Sequence, residues 1–256
     1  MKLTVLGCSG SIVGPDSPAS GYLLESGGTR IVLDLGNGTL GALQRHLDPF
    51  AVDALLFSHL HPDHCADFGA LTVLRRYRPN PPYDTREHRL PVIAPEYAPQ
   101  RFAQLYAPTA AELAETDLSD VFDFRPIPRE PLRIGPFAVT AVPMEHLCPT
   151  WGYRVEAEGK VLAYTGDTGP CGRLAELAAG ADLFLAEASW EDHPTAPRGV
   201  HLSGRQAASV AAEAGARRLL LTHLVPWTDH QAILAEAREV FPGPLELAAP
   251  DATHEI

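Results

Sequence analysis

Cysteine is scarce in this chain. Cys8, Cys65, Cys148 and Cys171 are scattered and form no CxxC pair. That usage excludes a disulfide framework and points to reduced thiols in a cytoplasmic compartment. Basic charge is short as well. Lys and Arg number 20 against 32 Asp and Glu, a formal net charge of −12. A surface of that sign repels a phosphate backbone unless cations gather in one place. No apolar run is long enough to span a bilayer. The chain opens on the strand pattern "KLTVLG", not on a basic segment followed by an apolar one, so no secretory signal is expected. Linkers, low-complexity tracts and short-period repeats are also missing. At 256 residues and 45% hydrophobic, the chain is read as one domain, residues 1–256, with a substantial core.

What is present is a series of short apolar runs punctuated by 24 prolines and 21 glycines. Lys2–Leu6, Tyr22–Glu25, Arg30–Asp34, Ala54–Phe57 and Leu90–Ala94 read as strands in the first half. Gly38–Leu47, Cys65–Tyr77 and Arg101–Tyr106 have helical spacing. Residues 107–135 are the least regular stretch. The second half repeats the style. Phe137–Val142, Tyr153–Ala157, Val161–Tyr164, Leu183–Ala186, Leu219–Thr222 and a final Leu245–Ala248 read as strands. Arg173–Ala179, Gly204–Glu213 and Asp229–Val240 read as helices, the last capped by Thr228 or Asp229. The pattern predicts an α/β (α+β) architecture: two sheets face to face with helices outside. The glycine-rich "GCSGSIVG", Gly7–Gly14, follows a strand but is not GxGxxG, and no helix starts after it. It is not read as a dinucleotide loop.

The chemistry concentrates in "FSHLHPDHCADF", Phe57–Phe68. Neutral imidazoles and carboxylates bind Zn²⁺ and related ions through nitrogen and oxygen. A loop at the strand end can aim His59 and His61 at one point, and Asp63 and His64 at a second point nearby. That two-metal arrangement lacks ligands. Candidates stand just past other apolar strands: His146 after "FAVTAVPME", Asp167 after "KVLAYTG" and His223 after "RRLLLT". Asp34, ending "RIVLD", is a candidate partner behind the ligands. Taken singly, His146 or His223 is an ordinary core or surface histidine; the intact HxHxDH selects them. Asp67, His88, His193, His230 and His254 fit no ligand slot and are read as solvated. Cys65 and Cys148 are read as packing.

HxHxDH, a later His, an Asp in "TGDTG" and a last His in "LTHL" together resemble the metallo-β-lactamase superfamily over nearly the whole chain. The resemblance implies a four-layer αββα sandwich with a dinuclear site at one sheet edge. His59, His61 and His146 would hold the first metal; Asp63, His64 and His223 the second; Asp167 would bridge them. The implied cofactors are two divalent ions, Zn²⁺ first, with Mn²⁺ or Fe²⁺ as alternatives. Such a pair activates a shared water as hydroxide and neutralises charge building on a phosphoryl or acyl oxygen.

"GVHLSGRQAASVAAEAGARRLLLTHL" is similar to ribonuclease Z and related phosphodiesterases. That likeness makes His201 an acid for the leaving alkoxide, supported by Glu187 of "FLAEASWED", and gives Asp63 the task of orienting the nucleophile. The plain reading makes His201 a helix cap. Ribonuclease Z grips tRNA with a basic protruding arm; the corresponding stretch here, "APTAAELAETDLSDVFDF", is acidic. The run "RRYRPNPPYDTREHR", Arg75–Arg89, is read as a solvated loop. The expectation is a phosphodiesterase acting on a small substrate, a 3′,5′-cyclic nucleotide, with tRNA 3′ processing as the alternative and lactone or thioester hydrolysis behind both. Trp190 and Trp227 are read as packed at strand ends, with stacking on a base as the lesser alternative. A homodimer is a further expectation from the resemblance.

Overall fold

The computed structural model describes residues 1–197 and 199–256. Fourteen strands and eight α-helices follow one another in two similar runs. The first run holds β1 (Lys2–Gly7), β2 (Gly21–Ser26), β3 (Thr29–Leu33), β4 (Ala54–Leu56), β5 (Leu90–Ala94) and β6 (Phe122–Pro126). The second holds β7 (Leu132–Ile134), β8 (Phe137–Met144), β9 (Thr150–Ala157), β10 (Lys160–Tyr164), β11 (Leu183–Glu187), β12 (Leu219–Thr222) and β13 (Leu245–Leu247). β14 (Thr253–Glu255) returns to pair antiparallel with β1. The result is two seven-stranded sheets, ordered β14-β1-β2-β3-β4-β5-β6 and β13-β12-β11-β10-β9-β8-β7. Each sheet passes from antiparallel hairpins to parallel pairs: β3-β4-β5-β6 in the first, β10-β11-β12-β13 in the second.

Strand side chains alternate between the two faces, so a strand buried on both faces reads as an unbroken apolar run. Tyr22 and Leu24 of β2, Leu33 of β3, Leu162 and Tyr164 of β10 and Leu185 of β11 enter the core between the sheets. Their neighbours point outward under the helices. Leu23 and Val32 pack below α1 (Thr39–His46), α3 (Phe68–Tyr77) and α4 (Ala98–Tyr106). Ala163, Phe184 and Leu221 pack below α6 (Arg173–Ala178), α7 (Gly204–Glu213) and α8 (His230–Arg238). The layers are therefore helices, sheet, sheet, helices.

Three segments depart from the expected elements. The expected helix Cys65–Tyr77 is two helices, because Pro62 starts a short α2 (Pro62–Cys65) and the chain resets at Asp67 before α3. Proline at a first helical turn is favourable, so Asp63 and His64 ride on a helical turn. The stretch 107–135 holds α5 (Ala110–Glu115), β6 and β7. Its alternation is too brief, and its residues too polar, to stand out. β14 was not expected at all; three residues, two of them exposed, carry no period.

Phe68 stands at the start of α3, just after the histidine-rich turn. It is fully buried, stacked on Phe102 and edge-on to Phe57. Phe68→Ala is expected to cost about 3–5 kcal/mol of unfolding free energy. Val73→Ala, on the exposed side of the same helix, is expected to stay within about 0.5 kcal/mol. Urea titration of both variants checks the contrast.

Candidate metal centre

The expected ligands converge at one edge of the sandwich, where strands of both sheets end. This is the usual site of function in open α/β sheets. His59 follows β4, Asp63 and His64 sit on α2, His146 follows β8, Asp167 follows β10, and His223 follows β12. The donor atoms form two groups. His59 Nε2 lies 3.0 Å from His61 Nδ1, which lies 3.3 Å from His146 Nε2. In the second group, His64 Nε2 is 3.1 Å from Asp167 Oδ1, and His223 Nε2 is 3.1 Å from Asp63 Oδ2. Asp167 belongs to both. Its Oδ1 faces His64 and His223, while its Oδ2 lies 3.7 Å from His59 Nε2 and 3.8 Å from His146 Nε2.

Four of the five rings are turned by a partner behind them, His61 being the exception. His59 Nδ1 lies 3.0 Å from the Ser58 hydroxyl, which itself donates to Asp34. His64 Nδ1 donates to Asp34 at 2.8 Å, His146 Nδ1 to the Val200 carbonyl at 2.9 Å, and His223 Nδ1 to the Ser189 hydroxyl at 2.9 Å. On these four rings Nδ1 is engaged and Nε2 faces inward, whereas His61 turns Nδ1 to the cluster. Asp34 and His223 both hold left-handed backbone, φ 57° and 54°. Non-glycine residues take that conformation only where surroundings impose it, at a cost of order 1–3 kcal/mol. Gly36 allows the same close fit: a Cβ there would lie 1.9 Å from the Asp63 carbonyl oxygen.

The electrostatics call for cations. Burial drives His59 well below the ordinary imidazole range, and His64 beside it adds to the effect. Burial opposes ionisation of Asp167, yet His223, His64 and His59 hold its carboxyl well below the usual range. Burial likewise works against a charged His64, but Asp167, Asp63 and Asp34 raise it well above 6.5. The pocket is thus a buried ring of carboxylates and imidazoles in which positive charge is disfavoured at His59 and favoured at His64. His64 Nε2 and Asp167 Oδ1 are both buried and lack a hydrogen bond, though they face each other. Buried polar atoms without partners are rare, and a divalent ion supplies what both need. The donor set of imidazole nitrogen and carboxylate oxygen suits such an ion.

Glu187, the last residue of β11, is fully buried. Its Oε1 accepts from the Thr168 N–H at 2.6 Å and His201 Nδ1 at 3.0 Å. Its Oε2 accepts from the Ser189 hydroxyl at 2.9 Å and the Leu202 N–H at 3.2 Å. His201 is not a cap: Ser203 caps α7, in a reciprocal box with Gln206. The His201 ring instead lies 5.0 Å from His223 and 5.2 Å from His146. Burial lowers its pKa, but Glu187 outweighs this and pushes it up to about 9.

Other expectations resolve individually. Cys65 is buried and bonds the Leu60 carbonyl, so it is packing. Cys148 lies with His59, His61 and His146, their donor atoms within 4.8 Å of one another. Burial pushes its thiol up, and its Sγ lies 3.8 Å from the Thr150 hydroxyl. Asp67 is not merely solvated, since it accepts from the Leu40 N–H in the first turn of α1. Trp190 stands edge-on to His201, 5.1 Å between centroids, and lines a cavity of about 700 Å³ with His201, Ser203 and Gln206. Trp227 is exposed. Ser58, Ser189, Tyr164 and Thr168 were not anticipated. Their only signal was adjacency: Ser58 precedes the first ligand, and Ser189 sits in "EASW".

Comparison with known proteins agrees with this geometry. Residues 29–224 match the family described as Beta-lactamase superfamily domain. Rv1339 of Mycobacterium tuberculosis is 46% identical over 100% of this chain and 92% of its own length. A ribonuclease Z of Methanopyrus kandleri is 30% identical over 94% of this chain and 93% of its own. The crystal structure of YhfI, a metallo-β-lactamase fold protein of Bacillus subtilis, superposes with a TM-score of 0.85 at 28% identity, covering 99% of both chains. With two mixed sheets between helical layers and a histidine–aspartate cluster at their shared edge, the chain belongs to the metallo-β-lactamase superfamily, as a hydrolase of its ribonuclease Z-like subgroup.

Proposed function

We propose that the protein is a metal-dependent phosphodiesterase whose substrate is a small 3′,5′-cyclic nucleotide. The observation that carries the reading is the Glu187–His201 pair beside the histidine–aspartate cluster. Thioester hydrolysis, which expels a thiolate, does not need it. An alkoxide leaves badly without a proton, and an imidazolium held by a carboxylate can supply one. His59, His61 and His146 would hold one Zn²⁺, or Mn²⁺ or Fe²⁺; Asp63, His64 and His223 would hold a second; Asp167 would serve both. When bound, the metals supply an activated water and counter-charge for the phosphoryl oxygens.

The chain's own residues do the rest. His201 Nδ1 is committed to Glu187, so Nε2 carries the proton toward the leaving oxygen. As the water oxygen bonds to phosphorus, the P–O3′ bond breaks and His201 Nε2 protonates O3′. The water's displaced proton goes to solvent, and solvent recharges His201. Burial alone would raise the Asp63 carboxyl; His64 and His223 outweigh it and hold it far below the usual range. So acidic a group accepts a hydrogen bond better than a proton, and Asp63 orients the water. The nucleoside side of the substrate would occupy the cavity beside His201, with the base against Trp190.

The small substrate is also favoured by what the basic run does. Arg75 is buried and bonds the Val121 and His88 carbonyls, Arg76 pairs with Asp120, and Arg78 pairs with Asp48. Arg75 is used inside the fold, while Arg76 and Arg78 are paired with carboxylates nearer its surface. The second reading is ribonuclease Z-type cleavage of precursor tRNA, favoured by the 30% identity to the Methanopyrus ribonuclease Z.

Three outcomes are expected. His201→Ala lowers turnover of 3′,5′-cyclic AMP by ~10²–10⁴. It changes turnover of a bis(p-nitrophenyl) phosphate much less, because nitrophenolate departs unprotonated. Equal losses on both would remove His201 as the acid. Second, the active form of His201 is the charged one, present below its raised pKa of about 9 and lost above it. Activity therefore falls on the alkaline side, at or below that value since bound cations pull the pKa down. Glu187→Gln moves the fall to lower pH, read from kcat profiles. Third, cyclic-nucleotide turnover is nearly flat in salt. A tRNA contacting six to ten phosphates would instead lose ~10³–10⁵ in affinity between about 50 and 200 mM.

A further inference from the structure

The glycine-rich loop after β1 is not idle. It lies against His223. The Ser11 N–H donates to His223 Nε2 at 3.3 Å. His223 Nδ1 already donates to the Ser189 hydroxyl, whose own hydrogen goes to Glu187. Nε2 is therefore the lone-pair nitrogen, and it is the atom that faces Asp63 and Asp167. One lone pair cannot serve both the Ser11 N–H and a divalent ion. When the ion takes it, the N–H keeps its aim but loses its acceptor. A fixed donor aimed at a cation must then find an anionic ligand of that cation.

The loop is built to hold this aim. The Gly10 N–H donates to the Leu224 carbonyl at 3.1 Å, and the Leu224 N–H donates to the Cys8 carbonyl at 2.9 Å, which ties the loop to the residue after His223. Gly10 must be glycine, since a Cβ there would lie 2.4 Å from the His223 carbonyl oxygen. Ser11 itself takes left-handed backbone, φ 64°. Yet the loop is open to a ligand: Ser11 is exposed, and Ile12 and Val13 present apolar side chains 49% and 47% exposed. A strained, pinned backbone N–H on an exposed residue, aimed into a cluster of carboxylates and imidazoles, is an arrangement that stabilises charge on a tetrahedral oxyanion.

We propose that the Ser11 backbone N–H binds a non-bridging oxygen of the substrate's phosphoryl group, with Gly10 as the residue that lets it approach. The assignment deepens the phosphodiesterase reading and rests on it for the substrate, but not for the anion. Inorganic phosphate is the probe. Its dissociation constant from the Zn²⁺- or Mn²⁺-loaded protein is measured by calorimetry, with metal content checked in every variant. Ser11→Pro removes the N–H. Phosphate is expected to bind about 10- to 100-fold more weakly, the range for a lost hydrogen bond to a charged group. Ser11→Gly keeps both the N–H and the positive φ, and phosphate affinity is expected to stay within about twofold. Should Ser11→Pro misfold or lose metal, an amide-to-ester replacement at residue 11 deletes the same hydrogen without fixing φ. Unchanged phosphate affinity in the Pro or ester variant overturns the assignment, as does a metal-loaded wild type that binds no phosphate. If phosphate weakens as expected while the wild type turns over no phosphodiester, the donor stands and the phosphodiesterase reading falls.

Discussion

Two buried carboxylates, Asp34 and Glu187, govern the site without standing among its proposed metal ligands. Asp34 accepts from the Ser58 N–H and hydroxyl, from Tyr164 and from His64. Glu187 accepts from the Thr168 and Leu202 N–H groups, from Ser189 and from His201. Each accepts four hydrogen bonds. Each reaches one histidine directly and a second through a serine: Asp34 to His64 and, by Ser58, to His59; Glu187 to His201 and, by Ser189, to His223. A buried carboxylate is costly unless it is fully satisfied. Satisfying it fixes the tautomer and direction of two rings at once, so the stability of the fold and the aim of the site rest on the same bonds.

That doubling follows from the architecture. Each sheet contributes one acidic residue at the end of an inner strand, Asp34 beyond β3 and Glu187 closing β11. The apolar core between the sheets stops there, and Tyr164 of β10 carries a hydroxyl from the second sheet across to Asp34. Tyr22 does the reverse from β2, sharing a 2.6 Å hydrogen bond with the Thr222 hydroxyl beside His223. With Tyr153 of β9, whose hydroxyl donates to the Phe57 carbonyl at 2.8 Å, three tyrosines thus bind the sheets together under the cluster. Movement of one sheet against the other would break these bonds before it opened the apolar core, so the ligands contributed by the two halves keep their spacing.

Much of this was legible from residue order, for a physical reason. The ligands follow strands whose two faces are both buried, and such strands announce themselves as unbroken apolar runs. Chemistry placed at their ends stands out as the first ionisable residues after the run, as His59, Asp167 and His223 do. What was not legible has equally definite causes. The break between α2 and α3 depends on where the chain must reset after Pro62, and the apolar spacing beyond it is helical on both sides. Ser58 and Ser189 are ordinary polar residues whose role exists only once Asp34 and Glu187 are in place. The loop at Gly7–Gly14 carried a glycine pattern that belongs to no nucleotide fold; its glycine at position 10 answers to the His223 backbone, a contact more than 200 residues distant in the chain.

The charge balance of the chain is consistent with such a centre. A protein of net charge −12 gains nothing from long-range attraction of a phosphate ester, and most of the arginines of its basic run are engaged within the fold. Positive charge has instead to be local. The cluster provides for it by holding Asp63 and Asp167 ionised against burial, through the histidines around them. A compact anion meeting cations held there over a few ångströms feels them strongly, because little water intervenes. A long polyanion meets in addition the acidic surface around them, at distances where salt and repulsion decide. Under the proposed function, the composition that works against a broad nucleic-acid footprint leaves a small phosphodiester unaffected, and that asymmetry favours a substrate that fits inside the mouth of the site.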